Sequence, residues 1–163
     1  MPAKKPALSA AIARSVQHAT FVIRRVFGAS PLQVFGAWVT AEGKARWFGG
    51  TAGKWKALER TFDFRVGGRE RLKGVWDSDA VYDFEARYQD IVPDERSVYT
   101  YDMHIADKRI SVSLSTVELA PAGKATQLTY TEQAVFLDGY DDAGSREQGT
   151  RALLDKLGAA LRS

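Results

Sequence analysis

The sequence contains no cysteine, which excludes a disulfide framework, a thiolate nucleophile and a cysteine zinc site. Only two histidines occur, His18 and His104, too few for a three-histidine centre, and neither belongs to a helical His-Glu motif. We therefore expect no metal and no cofactor. No apolar run approaches the about 20 residues that cross a bilayer, and residues 7–13 are too short and weakly apolar for a signal peptide. These absences favour a cytoplasmic protein with no membrane span.

Positive charge is concentrated at the N-terminus. The chain has 23 basic and 20 acidic residues, and five of the basic ones lie in residues 1–25, which hold no acid. The remainder thus carries 18 basic against 20 acidic residues. A second group of cations, Arg65, Arg69, Arg71 and Lys73, alternates along a predicted strand, a pattern typical of a solvated sheet face. We expect no nucleic-acid partner.

The length and the 45% apolar content indicate one core. We predict an N-terminal tail or arm over residues 1–19, with a short helix at 8–16, and one domain over residues 20–163. A first strand is predicted at 20–27. Ser30 and Gln33 then form a capping box around Pro31, which predicts a helix, and a second short helix is predicted at 41–47.

Period-two alternation predicts six further strands, joined by turn signals at Gly67-Gly68, Pro93-Asp94 and Gly123. Short connections of this kind indicate an antiparallel meander. The predicted strands span residues 62–66, 69–76, 82–88, 98–105, 110–114 and 128–136.

A long amphipathic helix closes the chain. Ser145 is predicted as its N-cap, with Gln148 three residues on, and four leucines form an apolar stripe that needs a sheet to cover. These are Leu153, Leu154, Leu157 and Leu161. The elements together predict an α+β fold, in which a curved antiparallel sheet of six to seven strands surrounds this helix and two short helices follow strand one.

Several local strings, in order and spacing, resemble the START-like (SRPBCC, Bet v 1-like) superfamily, and within it bacterial domains similar to the C-terminal domain of the activator of Hsp90 ATPase. The resemblance covers about residues 20–162 and implies a helix-grip fold around a hydrophobic cavity. Members of this superfamily include ligand carriers, cyclases, hydrolases and co-chaperones. The strings are Val34-Phe35-Gly36-Ala37-Trp38, Asp63-Phe64-Arg65-Val66-Gly67-Gly68, Ile91-Val92-Pro93-Asp94-Glu95-Arg96 and Thr126-Gln127-Leu128-Thr129-Tyr130-Thr131. Where many relatives have Gly-Trp near the start of the last helix, this chain has Gly149-Thr150.

Large side chains are numerous, with four Trp, six Tyr and eight Phe. Each of them alone is explained by core packing, but a set of Tyr and Trp on one concave face suits a pocket with an apolar body and a few polar points. Glu132 is predicted on that face, either paired with an arginine or acting as a ligand anchor or acid/base. Asp102 and His104 lie two residues apart on the opposite face of a predicted strand and are interpreted as a solvent-exposed pair. The predicted lining is Trp38, Trp47, Phe48, Phe64, Trp76, Phe84, Tyr99, Tyr101, Met103, Tyr130, Glu132, Phe136, Leu153 and Leu157.

No complete catalytic constellation is visible, so the sequence favours a soluble module, monomeric or homodimeric, that binds a small hydrophobic or aromatic ligand in an internal cavity. Two alternatives remain open. One is a cyclase, hydrolase or isomerase that uses a cavity carboxylate or tyrosine. The other is a co-chaperone-like interaction domain.

Overall fold

The computed structural model of the protein describes residues 13–51, 53–77 and 80–163. Within these residues the chain forms one sheet and three helices. The strands are β1 (Val16–Phe27), β2 (Trp55–Phe62), β3 (Arg69–Trp76), β4 (Val81–Val92), β5 (Arg96–Ile105), β6 (Lys108–Ala122) and β7 (Ala125–Leu137). The helices are α1 (Pro31–Val39), α2 (Ala41–Ala45) and α3 (Ala143–Arg162). No helix among them is long and apolar enough to span a bilayer.

The seven strands form one antiparallel sheet in the order β1-β7-β6-β5-β4-β3-β2. Strands β2 to β7 follow one another as a meander, because each is joined to the next by a short turn. Asp94 and Gly123, at the predicted turns, both adopt a positive φ, of 63° each. Strand β1 closes the sheet against β7, with Val16 opposite Leu137 and Phe27 opposite Thr126.

Helix α3 covers the inner face of the curved sheet, as the predicted α+β helix-grip fold requires. Leu154 and Leu157 are fully buried and share one apolar cluster with Leu128, Tyr130 and Phe84 of the sheet. Burial of each leucine stabilises the fold by roughly 1.5 to 3 kcal/mol. The predicted architecture is therefore confirmed.

The capping residues predicted for helix α1 are confirmed. Ser30 Oγ accepts from the backbone N–H of Gln33 at 3.3 Å, and Gln33 Oε1 accepts from the backbone N–H of Ser30 at 2.9 Å, which completes the predicted capping box. Helix α2 begins after its own cap, Thr40, and ends at Ala45, two residues before the predicted end.

The first strand begins at Val16 rather than at residue 20. Residues 16–19 pair with residues 134–137 of β7, but they are mostly exposed, so they carry no apolar alternation that would mark a strand. Of the helix predicted at 8–16, residues 8–12 lie outside the described part of the chain. Residues 13–15 are not helical, and Val16 already belongs to β1.

The strand predicted at 62–66 is wrong. Strand β2 ends at Phe62, and the chain then folds into a turn in which Gly68 N–H donates to the Arg65 carbonyl at 2.7 Å and Gly67 N–H donates to the Tyr88 carbonyl at 2.8 Å. Gly67 has a φ of +81°, and a Cβ at Gly68 would overlap the Asp63 carbonyl. The alternation of Phe62, Phe64 and Val66 therefore comes from a strand end and a turn.

Helix α3 also begins earlier than predicted. Its N-cap is Asp142, whose Oδ1 accepts from the backbone N–H of Ser145 at 2.9 Å, so Ser145 lies within the first turn. Both residues are good N-caps in isolation. The earlier start adds Ala143, Gly144 and Ser145 to the helix, and Arg146 lies buried in its first turn.

Candidate ligand cavity and its buried polar network

A cavity of about 480 Å³ lies between helix α3, the loop at residues 49–51 and the concave face of the sheet. Its volume falls within the range of about 300 to 1,000 Å³ that is common for small-molecule sites. Ten of the fourteen predicted residues line it: Trp38, Trp47, Phe48, Trp76, Phe84, Tyr99, Tyr101, Met103, Tyr130 and Leu153.

The other four predicted residues do not line the cavity. Phe64 packs against Phe35 and Tyr88, with ring centroids 5.8 and 4.8 Å away. Leu157 is fully buried in the core, and Phe136 lies beneath the Arg146 guanidinium, 5.3 Å from its ring centroid. Glu132, predicted to face the cavity, does point inward but is fully buried behind the wall.

Further lining residues lacked a recognisable signal in the sequence. Trp55 opens β2, the strand that was missed, and its indole lies directly over Gly50 and Gly74, so a Cβ at either glycine would overlap it. Asp141 and Arg146 line the polar end of the cavity. Arg146 lies four residues before Thr150 and so falls on the same face of α3 as the buried leucines. From the sequence alone, an arginine at this position is expected to face solvent.

Glu132 is the acceptor at the centre of a buried network. Tyr130 Oη donates to its Oε1 at 2.7 Å, Ser113 Oγ donates to Oε2 at 2.9 Å, and Tyr101 Oη lies 2.9 and 2.8 Å from the two oxygens. Arg146 Nη1 donates to Oε2 at 3.3 Å. A carboxylate has about four lone-pair positions, and these four donors occupy them.

Arg146 connects this network to helix α3. Its Nη1 also donates to Tyr101 Oη at 2.9 Å, while Nη2 donates to Ser111 Oγ at 2.7 Å and to Asp141 Oδ2 at 3.0 Å. Burial alone lowers the pKa of the guanidinium, but Tyr101, Glu132 and Asp141 offset this and hold the pKa above its ordinary value. Arg146 is therefore a permanent cation.

The network also explains the unusual pattern of strand β6. Its inward residues Ser111, Ser113 and Ser115 are almost fully buried, whereas Val112 and Leu114 face outward and are more than one third exposed. Small hydroxyl side chains leave room for Glu132 and the tyrosines and supply their hydrogen-bond partners. The alternating residues Ile110, Val112 and Leu114 thus indicated the strand correctly, although Val112 and Leu114 face outward.

The buried tyrosines remain neutral donors. Burial raises the pKa of Tyr101 and Tyr130 well above the ordinary value, and the nearby Glu132 charge raises both further. The single proton of Tyr130 is directed at Glu132, so Ser115 Oγ, 2.9 Å away, donates to Tyr130 Oη. The hydroxyl groups of Tyr101 and Tyr130 are thus already committed to partners inside the protein.

A second buried ion pair lies behind the aromatic wall. Lys44 Nζ donates to Glu70 Oε2 at 3.0 Å, and both side chains are at most 3% exposed. Tyr88 Oη donates to the same carboxylate oxygen. The Lys44 ammonium is also 4.6 to 5.9 Å from five ring centroids, a cation–π arrangement, formed by Trp38, Trp47, Phe48, Phe62 and Tyr99.

Lys156 connects helix α3 to the loop at the mouth of the cavity. Its Nζ donates to the carbonyls of Gly49 and Gly50 at 2.8 and 3.1 Å, and partial burial lowers the pKa of this amine. Gly49 has a φ of +151°, which side chains rarely tolerate. The glycine-rich loop, which does not match a phosphate loop, therefore forms one rim of the cavity.

The remaining charged groups do not form a site. Arg71 pairs with Glu59, Asp83 and Glu85 on the outer face of the sheet, as the predicted solvated strand face requires. Asp102 pairs with Arg109 at 3.3 Å, and neither Asp102 nor His104 lines the cavity. Over the described ranges no cluster of His, Cys, Asp and Glu side chains could hold a metal ion.

Comparisons with known proteins agree with this architecture. A family model described as Activator of Hsp90 ATPase homolog 1-like protein matches residues 28–162. An uncharacterized protein from Rhizobium leguminosarum is 43% identical over 92% of this chain and 98% of its own, with a TM-score of 0.87. The Mll3558 protein from Rhizobium loti is 45% identical over 90% and 99%, with a TM-score of 0.83.

A more distant structure, the AHSA1-like protein from Aeromonas hydrophila, is 17% identical over 88% of this chain and 92% of its own, with a TM-score of 0.67, and shares the fold. No curated protein matches the chain.

Proposed function

Because the chain belongs to the family of Activator of Hsp90 ATPase homolog 1-like proteins, we propose that it is a binding module that holds one small molecule with a hydrophobic or aromatic body in the cavity beneath α3. The observation that carries this proposal is the cavity itself, a space of about 480 Å³ whose lining includes ten Trp, Tyr and Phe side chains. Packed cores leave few voids larger than a water molecule, so an open space of this size, walled by indole and phenyl rings, suits a ligand.

The polar groups behind the wall favour binding over catalysis. A general base needs a free lone pair within reach of a substrate proton, whereas Glu132 is fully buried and its oxygens accept from four internal donors. Tyr101 and Tyr130 donate to that same carboxylate. Glu132 and the hydroxyl groups of Tyr101 and Tyr130 therefore stabilise the wall of the cavity and are not free to act as acid or base there.

The charge distribution supports a small molecule rather than a nucleic acid. The cations of strand β3 alternate outward and Arg71 is neutralised by three acids. A nucleic-acid surface would instead present unpaired cations in a continuous patch.

A filling substitution tests the proposal directly. Leu153 lines the cavity, so Leu153→Trp should occupy part of the space and weaken binding of an uncharged hydrophobic fluorescent probe, N-phenyl-1-naphthylamine, by about tenfold or more. The matched control is Leu114→Trp, the same exchange on the outer face, where Leu114 is 36% exposed, and probe binding should be unchanged.

Native mass spectrometry of freshly purified protein supplies an independent test, since a retained ligand would appear as a discrete added mass in the wild type and be reduced in Leu153→Trp. The proposal fails if the wild type neither retains a ligand nor binds hydrophobic probes, or if both tryptophan variants reduce probe binding equally.

A further inference from the structure

At the polar end of the cavity, Arg146 and its two carboxylate partners together carry one net negative charge. Arg146 is in direct hydrogen-bond contact with two carboxylates, Glu132 and Asp141. Of these three groups only Asp141 and Arg146 line the cavity, and the Asp141 side chain remains 20% exposed. A ligand group that enters this end therefore meets a local excess of negative charge.

The four terminal N–H groups of Arg146 are committed to internal partners, and among the described residues only its Nε–H has none. Its Nη1 donates to Tyr101 and Glu132, and its Nη2 donates to Ser111 and Asp141. A ligand carboxylate would have to displace one of the two internal carboxylates to obtain the two parallel bonds that arginine makes best, and it would be repelled by both of them at short range.

Asp141, by contrast, has acceptor capacity to spare. Its Oδ2 accepts from Arg146 Nη2 at 3.0 Å, and its Oδ1 accepts from the backbone N–H of Asp142 at 2.8 Å. About two of the four lone-pair positions of a carboxylate remain free for a donor in the cavity. The aromatic wall also favours a cation, because the faces of Trp, Tyr and Phe rings carry negative quadrupole charge.

The other cation of the cavity lies at the opposite end. Lys156 follows Arg146 by ten residues on α3, which places it about 15 Å farther along the helix axis. Its ammonium donates to the carbonyls of Gly49 and Gly50, so its charge serves the rim and not the polar end.

We infer that the cavity selects ligands whose apolar body ends in a protonated amine or another hydrogen-bond donor, bound by Asp141, and discriminates against hydrophobic carboxylates such as fatty or aromatic acids. This inference rests on the proposed function and specifies the ligand class of the same site.

A matched ligand series tests it. Naphthylmethylamine, naphthylmethanol and naphthoate share one aromatic body and differ in charge, and their affinities for the full chain can be measured by isothermal titration calorimetry at one pH. The amine should bind at least about tenfold more tightly than naphthoate, with the alcohol between them. In Asp141→Asn the amine should lose about tenfold in affinity and the difference between amine and acid should narrow.

The control is Asp155→Asn, which removes one negative charge from helix α3 at an exposed position paired with Arg25, and it should leave all three affinities unchanged. The inference is overturned if naphthoate binds wild type as tightly as the amine, or if the two aspartate variants act alike. Binding of the neutral alcohol distinguishes a wrong ligand class from a wrong binding function. If none of the three compounds binds, both the ligand class and the proposed binding function are overturned. The wild-type series alone decides the ligand class if Asp141→Asn does not fold.

Discussion

Arg146 of helix α3 and Glu132 of strand β7 form a buried ion pair, with Nη1 3.3 Å from Oε2 and the side chains 9% and 0% exposed. The pair connects the terminal helix to β7, the second strand of the sheet. Such pairs add little net stability compared with a well-packed apolar substitute, but loss of one partner leaves the other charge buried without compensation.

Glu132→Gln should therefore lower the free energy of unfolding by about 3 kcal/mol, measured by urea denaturation, because Arg146 loses a charged partner and keeps only Asp141. The double variant Glu132→Gln/Arg146→Met should recover part of this loss. Glu118→Gln, an exposed change on the outer face of β6, should have no effect. A loss of stability no larger than that of Glu118→Gln would show that the pair is not buried in solution.

The second buried ion pair, between Lys44 and Glu70, should also lose stability when only one partner is replaced. Lys44→Met should cost about 3 to 5 kcal/mol, because it leaves the Glu70 carboxylate buried with only the Tyr88 hydroxyl as donor. Replacement of both residues, in Lys44→Met/Glu70→Leu, should restore much of the stability. A double variant that is less stable than Lys44→Met alone would contradict this account.

The buried tyrosines predict a loss of stability at alkaline pH. Burial raises the pKa of Tyr88, Tyr99, Tyr101 and Tyr130 above the ordinary value near 10. The folded state thus holds these protons more tightly than the unfolded state does. Their contribution is fully present below about pH 10 and decreases above it, by at most about 1.4 kcal/mol per pH unit for each tyrosine.

The measurement is phenolate absorbance followed together with circular dichroism in an alkaline titration. Ionisation of these four tyrosines should coincide with unfolding, whereas the protein in concentrated urea should ionise without such a delay. Phenolate absorbance that rises fully while the circular dichroism stays native would refute the burial of these side chains.

Leu157 tests the contribution of α3 to the core. The side chain is fully buried, so Leu157→Ala should reduce the free energy of unfolding by about 2 to 5 kcal/mol through lost apolar burial and a residual cavity. Leu32 of α1 is 68% exposed, so Leu32→Ala should change the free energy of unfolding by less than about 0.5 kcal/mol. Both values come from chemical denaturation, and equal effects would show that α3 is not seated as described.

Elements with strong local signals could be predicted from the sequence. The capping box of Ser30 and Gln33 marked α1, and apolar alternation marked the five strands from β3 to β7, although each of β4 to β7 extends beyond its prediction. Where the alternation was absent, as at residues 16–19, or misleading, as at Phe64 and Val66, the strand limits were wrong. Residues 16–19 are mostly exposed and so carry no burial pattern, whereas Phe64 packs against Phe35 and Tyr88 from a turn and so imitates a strand residue.

The amino-acid sequence by itself determined the fold class and most of the aromatic wall, since both follow from periodicities within single elements. Only the tertiary structure decided the role of Glu132. Apart from Tyr130 on its own strand, its partners are Tyr101 on β5, Ser113 on β6 and Arg146 on α3, which are 31, 19 and 14 residues away in the chain. A carboxylate on an inward face becomes a ligand anchor, a base or a buried partner according to which donors reach it. Those donors arrive only when strands and helix assemble, because hydrogen bonds and ion pairs act over a few ångströms whatever the separation along the chain.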